Sequence, residues 1–220
     1  MRVAIVHATM NSYKPLIDAL TKSLTKDDTI LHFINEYLID RVLGVGTVDA
    51  RAVQLFTELI FSAAESEPDI IVVGCSVYFP YIPSIQASVS APIMPIDAPM
   101  LEMAVEKAKK IGLIVTTTPT IAGTEKRLLE IAGKSGKGIE VLAESVPHAF
   151  TLISQGDVKG HNAAVAGAGE RLVKQGCEIL LLSQISMACA AADMQQLGVP
   201  VLNSVDTGVQ RVLQLKAGKA

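Results

Sequence analysis

Short apolar runs rich in valine and isoleucine alternate along this chain with longer segments whose apolar residues recur at helical spacing. This alternation is typical of parallel strands joined by crossover helices, so it predicts an α/β fold. Strands are predicted in both halves of the chain, over residues 2–7, 29–34, 69–75, 92–95, 111–116, 139–143, 178–184 and 199–202. Each half is therefore expected to be a flavodoxin-like parallel sheet of about four strands, flanked by helices.

Acidic residues mark the predicted start of two of these helices. Asp49 precedes a segment over residues 50–65 whose apolar positions form one stripe, and Asp97 precedes a similar stripe. An aspartate at this position accepts a hydrogen bond from a free backbone N–H of the first turn, so both residues are predicted N-caps. The segments 161–174 and 206–215 show the same amphipathic spacing and complete the helices expected to cover the sheets.

The two halves resemble each other in sequence. The buried strand that begins at Asp69 aligns with the strand that begins at Glu178, an offset of 109 positions, and the register continues downstream. The aligned strand ends differ, because the first half ends this strand with Cys75 and the second half ends it with Gln184. The repeat therefore predicts two related halves whose corresponding edges carry different chemistry.

The repeat also predicts the domain organisation. The first α/β half is expected over residues 1–97 and the second over residues 98–206, with a closing helix over residues 207–220 that packs on the first half. The helix at the end of the first half is open to exchange with the other half. The halves are expected to be pseudo-symmetric, with the active site between them.

Composition narrows the class of ligand. The 220 residues are 50% hydrophobic and carry a net charge of -3, without runs of lysine or arginine. This balance argues against a nucleic-acid or anionic-membrane partner and favours a small molecule. Aromatic residues make up 4% of the chain, with no tryptophan to stack on bases. No apolar run is long enough to span a bilayer and no secretory signal is visible, so a cytoplasmic location is predicted.

Neither the cysteines nor the histidines form a metal-binding pattern. Three cysteines are present without CxxC spacing, namely Cys75, Cys177 and Cys189. Reduced thiols and no metal are therefore expected, and the second and third of these cysteines are expected to be structural. Three of the histidines are expected to be surface or capping residues, namely His32, His148 and His161.

Polar side chains cluster after four of the predicted strands. Helix N-termini and free backbone N–H groups converge beyond the carboxyl ends of parallel strands, which is where ligands bind. These loops carry hydroxyls, amides and one thiol but no Lys, Arg, Asp or Glu: His7-Ala8-Thr9-Met10-Asn11, Cys75-Ser76-Val77-Tyr78, Thr116-Thr117-Thr118 and Gln184-Ile185-Ser186. Such donors suit a small carboxylate. Phosphate is less favoured, because the chain has neither a P-loop motif nor a GxGxxG motif.

Three segments carry a resemblance to a known family, namely Gly74-Cys75-Ser76, the strand from Gly112 to Thr116, and the segment from Leu182 to Ala188. With the duplicated halves, they resemble the aspartate/glutamate/hydantoin racemase superfamily over essentially the whole chain. That family is cofactor-independent and includes amino-acid, hydantoin and allantoin racemases, maleate isomerase and arylmalonate decarboxylase. The resemblance implies an isomerase of racemase or epimerase type that needs no cofactor. Its substrate would be a small carboxylate such as an amino acid, or a hydantoin-like compound, and a homodimer is implied.

The resemblance also implies which residues act. In the racemases of the family, a cysteine from each half flanks the acidic carbon of the substrate. One thiolate removes a proton from one face while the opposing thiol delivers a proton to the other. Cys75 matches the first cysteine. The residues that match positions near the substrate carboxylate are Thr9, Asn11, Ser76, Val77, Thr116 and Thr117, and the loop after Gln184 adds Ile185 and Ser186 as candidates.

A glutamine stands where the family has its second cysteine. Gln184 neither ionises nor transfers protons usefully at neutral pH, so the two-thiol mechanism cannot operate unchanged. Its amide N–H is instead a candidate donor to a carboxylate or an enolate oxygen. His7 is expected near Cys75, because the first and third strands are neighbours in a sheet ordered 2-1-3-4. The imidazole would hold the thiolate as an ion pair or relay its proton.

Three functions stay open at this point. The first is a racemase or epimerase that uses Cys75 on one face and water or His7 as the substitute acid. The second is a lyase resembling arylmalonate decarboxylase, in which one thiol delivers the single proton that is needed. The third is a non-catalytic binding protein that kept the cleft and lost the acid. A separate alternative for Cys75 is a buried small hydrophobic residue, which is common for an isolated cysteine at a strand end. Tyr78 and Tyr81 are either a lid or a packed loop.

Overall fold

The computed structural model of the chain describes residues 1–10, 13–118 and 120–218. The chain divides into two compact units, one formed by Met1–Ile96 with Val209–Ala220 and the other by Asp97–Gly208. Among the described residues, no helix is both long enough and apolar enough to cross a membrane.

The first unit is built on a four-stranded parallel sheet. Its strands are β1 (Arg2–His7), β2 (Thr29–Ile34), β3 (Ile70–Val73) and β4 (Ile93–Pro95). They follow the order β2-β1-β3-β4, so β1 and β3 are neighbours as predicted. All of β3 is buried, and β1 is buried after its first residue. Valine and isoleucine dominate these central strands, because branched side chains pack well on a pleated surface that is covered on both faces.

Helices follow the strands of the first unit in the predicted alternation. They are α1 (Tyr13–Ser23), α2 (Tyr37–Val45), α3 (Ala50–Ala64) and α4 (Ile82–Gln86), with a 3₁₀ helix over Ser76–Tyr81 before α4. The predicted N-cap of α3 is confirmed, since the carboxylate of Asp49 accepts a hydrogen bond from the Ala52 N–H at 2.9 Å. The buried stripe of α3 includes Phe56 and Ile60, so the predicted face is the one that packs.

The second unit repeats this plan. Its strands are β5 (Lys110–Val115), β6 (Glu140–Ser145), β7 (Ile179–Leu182) and β8 (Val201–Asn203). All pairs are parallel and follow the order β6-β5-β7-β8, which matches the order of the first sheet. The fold class predicted from the alternating pattern, with two four-stranded parallel sheets flanked by helices, is confirmed.

The helices of the second unit cover both faces of its sheet. They are α5 (Ala98–Lys107), α6 (Thr120–Lys134), α7 (Pro147–Ser154) and α8 (Val158–Lys174), with a 3₁₀ helix over Ile185–Leu197. The last helix, α9 (Ser204–Ala217), begins in this unit and belongs to the first unit from Val209 onwards. On one face, Leu113 of β5 belongs to a core cluster with Leu128 of α6. On the other face, Ile114 belongs to a separate cluster with Leu172 of α8. Neighbouring residues of a strand therefore enter different cores, as the alternation of side chains requires.

Asp97 occupies the predicted N-cap position of α5, but its side chain does not cap the helix. Asp97 has helical backbone angles (φ -88°, ψ -8°) and makes no capping hydrogen bond. Its carboxylate is buried and accepts a hydrogen bond at 2.7 Å from Nη1 of Arg127, which lies 30 positions away in α6. Burial raises the pKa of Asp97, and the Arg127 guanidinium opposes that rise. Local sequence cannot show this role, because the partner comes from another helix.

Gly112 leaves room on β5 for side chains of the neighbouring elements, including Leu180 of β7 and Leu172 of α8. A Cβ atom at this position would lie 2.6 Å from Leu180 Cδ2 and 3.2 Å from Cys177 Sγ. We expect Gly112→Ala to lower the free energy of unfolding by about 1–3 kcal/mol through overpacking. The measurement is urea denaturation followed by far-UV circular dichroism.

Gly133 provides the matched control, because it lies in α6 and a Cβ there would have no neighbouring atom within 4 Å. Gly133→Ala should raise the free energy of unfolding by about 0.5 kcal/mol, through the lower backbone entropy of the unfolded chain. Equal effects of the two substitutions would contradict the packing argument.

Candidate active site

Cys75 lies just beyond the carboxyl end of β3, beside the end of β1. Gly74 continues the strand ladder, since its N–H donates to the Val6 carbonyl oxygen at 3.0 Å. Cys75 is extended (φ -108°, ψ 106°) and immediately precedes the 3₁₀ helix Ser76–Tyr81. Cys75, Ser76 and Val77 are all half-buried. The thiol therefore lies at the edge of the sheet where ligands of parallel α/β folds bind.

The thiol of Cys75 is protonated at neutral pH. Burial raises its pKa to about 12, and the backbone N–H of Val77 opposes this rise. Of these two effects on the pKa of Cys75, desolvation is the larger. Desolvation disfavours the charged form of a thiol. Cys75 consequently rests as a thiol and becomes a strong base only when it loses its proton.

Tyr78 anchors the turn that carries Cys75. Its side chain is fully buried, stacks on Phe56 with ring centroids 4.6 Å apart, and donates from its hydroxyl to the Leu38 carbonyl oxygen at 2.9 Å. Burial, with a smaller contribution from Cys75, raises the pKa of Tyr78 to about 12. Tyr81 is half-buried, and its hydroxyl lies 3.5 Å from the Val48 carbonyl oxygen. These two tyrosines belong to a packed loop.

His7 lies in a buried aromatic cluster at the end of β1. Its ring centroid is 5.6 Å from that of Tyr13 and 6.3 Å from that of His32. Burial, and then the charge of His32, lowers the pKa of His7 to about 4, so the imidazole is neutral at pH 7. Extending the pairing of β1 with β3 by one residue puts Gly74 beside His7. Because successive residues of a strand point to opposite faces of the sheet, the side chain of Cys75 points to the face opposite to that of His7. This arrangement does not favour the predicted contact between His7 and Cys75, which stays a prediction.

The loop after β1 is held by a carboxylate that the sequence interpretation missed. Thr9 is half-buried in this loop, whereas Asn11 lies outside the described residues. The backbone N–H of Met10 donates to Oε1 of Glu36 at 3.1 Å. Glu36 follows β2, which is the other neighbour of β1. The strand order could have found it, because the end of β2 belongs to the same edge of the sheet as the ends of β1 and β3.

Gln184 joins the ends of the two central strands of the second unit. Its Oε1 accepts hydrogen bonds from the backbone N–H of Thr116 at 2.6 Å and from the Thr116 hydroxyl at 2.9 Å. Its Nε2 donates to the Thr117 hydroxyl at 3.2 Å. Thr116 is buried, whereas Thr117 is exposed with its hydroxyl 2.7 Å from that of Thr120. The structure thus brings three of the predicted site residues together.

The remaining candidates of the second unit lie just beyond this cluster. Ile185 is buried and Ser186 is half-buried at the start of the 3₁₀ helix Ile185–Leu197. Cys189 is exposed, and its thiol donates to Oδ1 of Asn162 at 3.3 Å and to the Ser186 carbonyl oxygen at 3.5 Å. Burial nevertheless raises the pKa of Cys189. Cys189, which was expected to be structural, is thus an exposed residue of the 3₁₀ helix whose thiol makes these two hydrogen bonds.

One further contact lies at the edge of the second sheet. The Thr118 hydroxyl lies 2.9 Å from the hydroxyl of Ser145, the last residue of β6.

His161 is fully buried and its Nδ1 lies 2.9 Å from the Ala149 carbonyl oxygen, so its predicted place at the surface or in a cap is wrong. His148 is exposed as expected. Within residues 1–10, 13–118 and 120–218, no group of three or more His, Cys, Asp or Glu residues could hold a metal ion.

Comparison with protein families gives one match. The family described as Asp/Glu/Hydantoin racemase matches the chain over residues 3–212. A comparison with curated proteins found no match.

Several solved structures have the same fold. An aspartate racemase homologue from Pyrococcus horikoshii OT3 is 16% identical with a TM-score of 0.73, covering 98% of this chain and 99% of its own. Allantoin racemase from Klebsiella pneumoniae is 18% identical with a TM-score of 0.75, covering 100% of this chain and 89% of its own. The glutamate racemase isoform RacE1 from Bacillus anthracis is 19% identical with a TM-score of 0.74, covering 99% and 82% respectively. At these identities the likeness shows the fold alone.

The protonation state of Cys75 predicts its reactivity. We expect alkylation of Cys75 by iodoacetamide to be slow at pH 7 and to accelerate up to at least pH 10, because burial raises the pKa of the thiol to about 12. Peptide mapping by mass spectrometry separates Cys75 from Cys177 and Cys189. A rate that levels off near pH 7 would instead show a stabilised thiolate. His7→Phe tests the predicted pair, which exists only if the substitution changes this pH profile.

The burial of neutral His7 predicts a loss of stability in acid. Its pKa is about 4 in the folded protein against an ordinary value of 6.5, so between these pH values only the unfolded chain binds the proton. The contribution of neutral His7 to the free energy of unfolding is fully present above pH 6.5. It falls by about 3 kcal/mol as the pH drops towards 4. His7→Phe should remove most of this loss in urea denaturation at pH 7 and pH 4.5. The exposed His148 is the control, and His148→Asn should leave the loss unchanged.

Proposed function

Because this chain belongs to the Asp/Glu/Hydantoin racemase family, we propose that it is a cofactor-independent isomerase that inverts a carbon centre next to a carbonyl group. The base is Cys75, and the substrate is a small carboxylate such as an amino acid, or a hydantoin-like compound. The observation that carries the proposal is the position of Cys75, half-buried beyond the carboxyl end of β3. Ligands of parallel α/β sheets bind at this edge.

The environment of Cys75 suits the removal of a proton from carbon. A raised pKa of about 12 means that the thiolate is scarce but strongly basic once it forms. The N–H of Val77 lowers the pKa of the thiol, so it also stabilises the anion during the reaction. Tyr78 fixes the turn that presents this N–H, since its hydroxyl is bonded to the carbonyl oxygen of Leu38. Cys75 therefore acts from a rigid position.

The second proton transfer does not follow the symmetric two-thiol scheme. Gln184 occupies the position that matches the second cysteine of the family, and an amide does not ionise at neutral pH. His7 is a poor substitute acid, because its pKa of about 4 leaves it neutral at pH 7. Water is the donor that these observations favour. The proposed mechanism thus uses one thiol and one solvent-derived proton.

A decarboxylase is the second candidate function. Loss of carbon dioxide from a malonate-type substrate leaves a carbanion that needs a single proton and no base. A thiol that rests protonated, as Cys75 does with its pKa of about 12, is suited to deliver that proton. The family resemblance includes arylmalonate decarboxylase, so both reactions require the same test.

Incubation in heavy water separates these functions. With the protein and candidate amino acids or hydantoins, we expect exchange and inversion of the α-hydrogen, at a rate that rises with pH as the thiolate fraction grows. Cys75→Ser should lower the exchange rate by about 100-fold or more, the usual contribution of a positioned acid or base. Nuclear magnetic resonance follows the exchange, and chiral chromatography follows the inversion.

Cys189→Ser is the matched control, because it removes the exposed thiol of the second unit. This substitution should leave the exchange rate unchanged. A decarboxylase would release carbon dioxide from substituted malonates and place one deuterium on the product. Binding without exchange or release would contradict both enzymatic functions.

A further inference from the structure

The side chain of Gln184 accepts hydrogen bonds from both donors of Thr116. The backbone N–H and the hydroxyl of Thr116 both point to Gln184 Oε1, at 2.6 Å and 2.9 Å. Thr116 is only 2% exposed, so these donors are covered by the glutamine. The family resemblance places Thr116 near the substrate carboxylate, but here its two donors already have an acceptor.

A backbone N–H and a hydroxyl just beyond a parallel strand are donors that suit an anion. Gln184 supplies a planar group of the same shape as a carboxylate, with a neutral carbonyl oxygen in the place that a carboxylate oxygen would take. If the glutamine turned away, two donors of a buried threonine would lose their acceptor. An incoming carboxylate therefore competes with an internal ligand that is already in place.

The edge that remains accessible is formed by neutral groups. Nε2 of Gln184 donates to the exposed hydroxyl of Thr117, and that hydroxyl is also paired with Thr120. The loops over residues 116–118 and 184–186 contain no lysine or arginine that would balance an anion. An amide N–H and hydroxyls match a neutral carbonyl or amide group, which offers both acceptors and donors.

We propose that Gln184 is the specificity-determining residue of this strand edge. It occupies the donor pair of Thr116 with its own carbonyl oxygen and so selects a neutral amide or carbonyl group over a carboxylate. That Gln184 selects a substrate, and not merely a ligand, rests on the proposed function. Its binding step can be measured separately from turnover.

Isothermal titration calorimetry with malonate and its neutral isostere malonamide tests the proposal. The full chain carrying Cys75→Ser is used, so that no turnover occurs. We expect malonamide to bind this protein more tightly than malonate. Adding Gln184→Ala should increase the affinity for malonate at least tenfold, because the donors of Thr116 become available. Adding Thr116→Val to that variant should remove several-fold of the gain, because the hydroxyl donor is lost.

The control substitution is Gln155→Ala, which removes an exposed glutamine of the same unit and should change neither affinity. Gln184→Glu is the second test, because its carboxylate keeps the donor pair filled even if the alanine variant misfolds. That variant should bind malonate no better than its parent. The proposal is overturned if malonate binds the parent more tightly than malonamide does, if Gln184→Ala does not increase the affinity for malonate, or if Gln184→Glu does increase it. A protein that binds as expected but exchanges no hydrogen would leave this inference intact and refute the isomerase.

Discussion

Parallel pairing of the central strands is the constraint on which the rest of each unit depends. In the first unit β1 pairs with β3, and in the second β5 pairs with β7, so the carboxyl ends of sequence-distant strands lie side by side. This pairing puts Cys75 beside the loop that follows β1. It also puts Gln184 within hydrogen-bonding distance of Thr116, 68 positions away in the chain. Without this strand pairing, Cys75 would not lie beside the loop after β1 and Gln184 would not reach Thr116.

The same position in the repeat has acquired opposite chemistry in the two units. Cys75 is desolvated, and the N–H of Val77 offsets only part of that effect, so the thiol keeps its proton. Gln184 is bonded through both ends of its amide, which locks the side chain against Thr116 and Thr117. A reactive group requires an environment that leaves it incompletely stabilised, whereas a structural group requires partners. The environment of Cys75 therefore suits the reactive role proposed for it, and the environment of Gln184 suits a positioning role.

The sequence predicted what depends on local pattern and failed where distant partners decide. The strands followed from branched apolar runs, and their order followed from the topology expected of alternating strands and helices. The cap at Asp49 followed from its place before an amphipathic stripe. Asp97 has the same local context but is paired with Arg127 of another helix, so the same rule failed there. Glu36 was missed because only the ends of alternate strands were considered. His161 was misplaced because a polar residue near a helix start can still be buried when a carbonyl oxygen satisfies it.

The candidate residue of each unit lies in surroundings that are unfavourable to an anion. In the first unit, desolvation disfavours the thiolate of Cys75, and a second anion near the reacting carbon would disfavour it further. A neutral carbonyl avoids that repulsion and takes the developing charge onto its own oxygen, where an N–H donor can stabilise it. In the second unit, Gln184 closes the donor pair that would attract a carboxylate and leaves an amide edge exposed to neutral groups. Under the selectivity proposed for Gln184, a glutamine at this position both lacks the proton of a thiol and changes the charge of the group that this edge accepts.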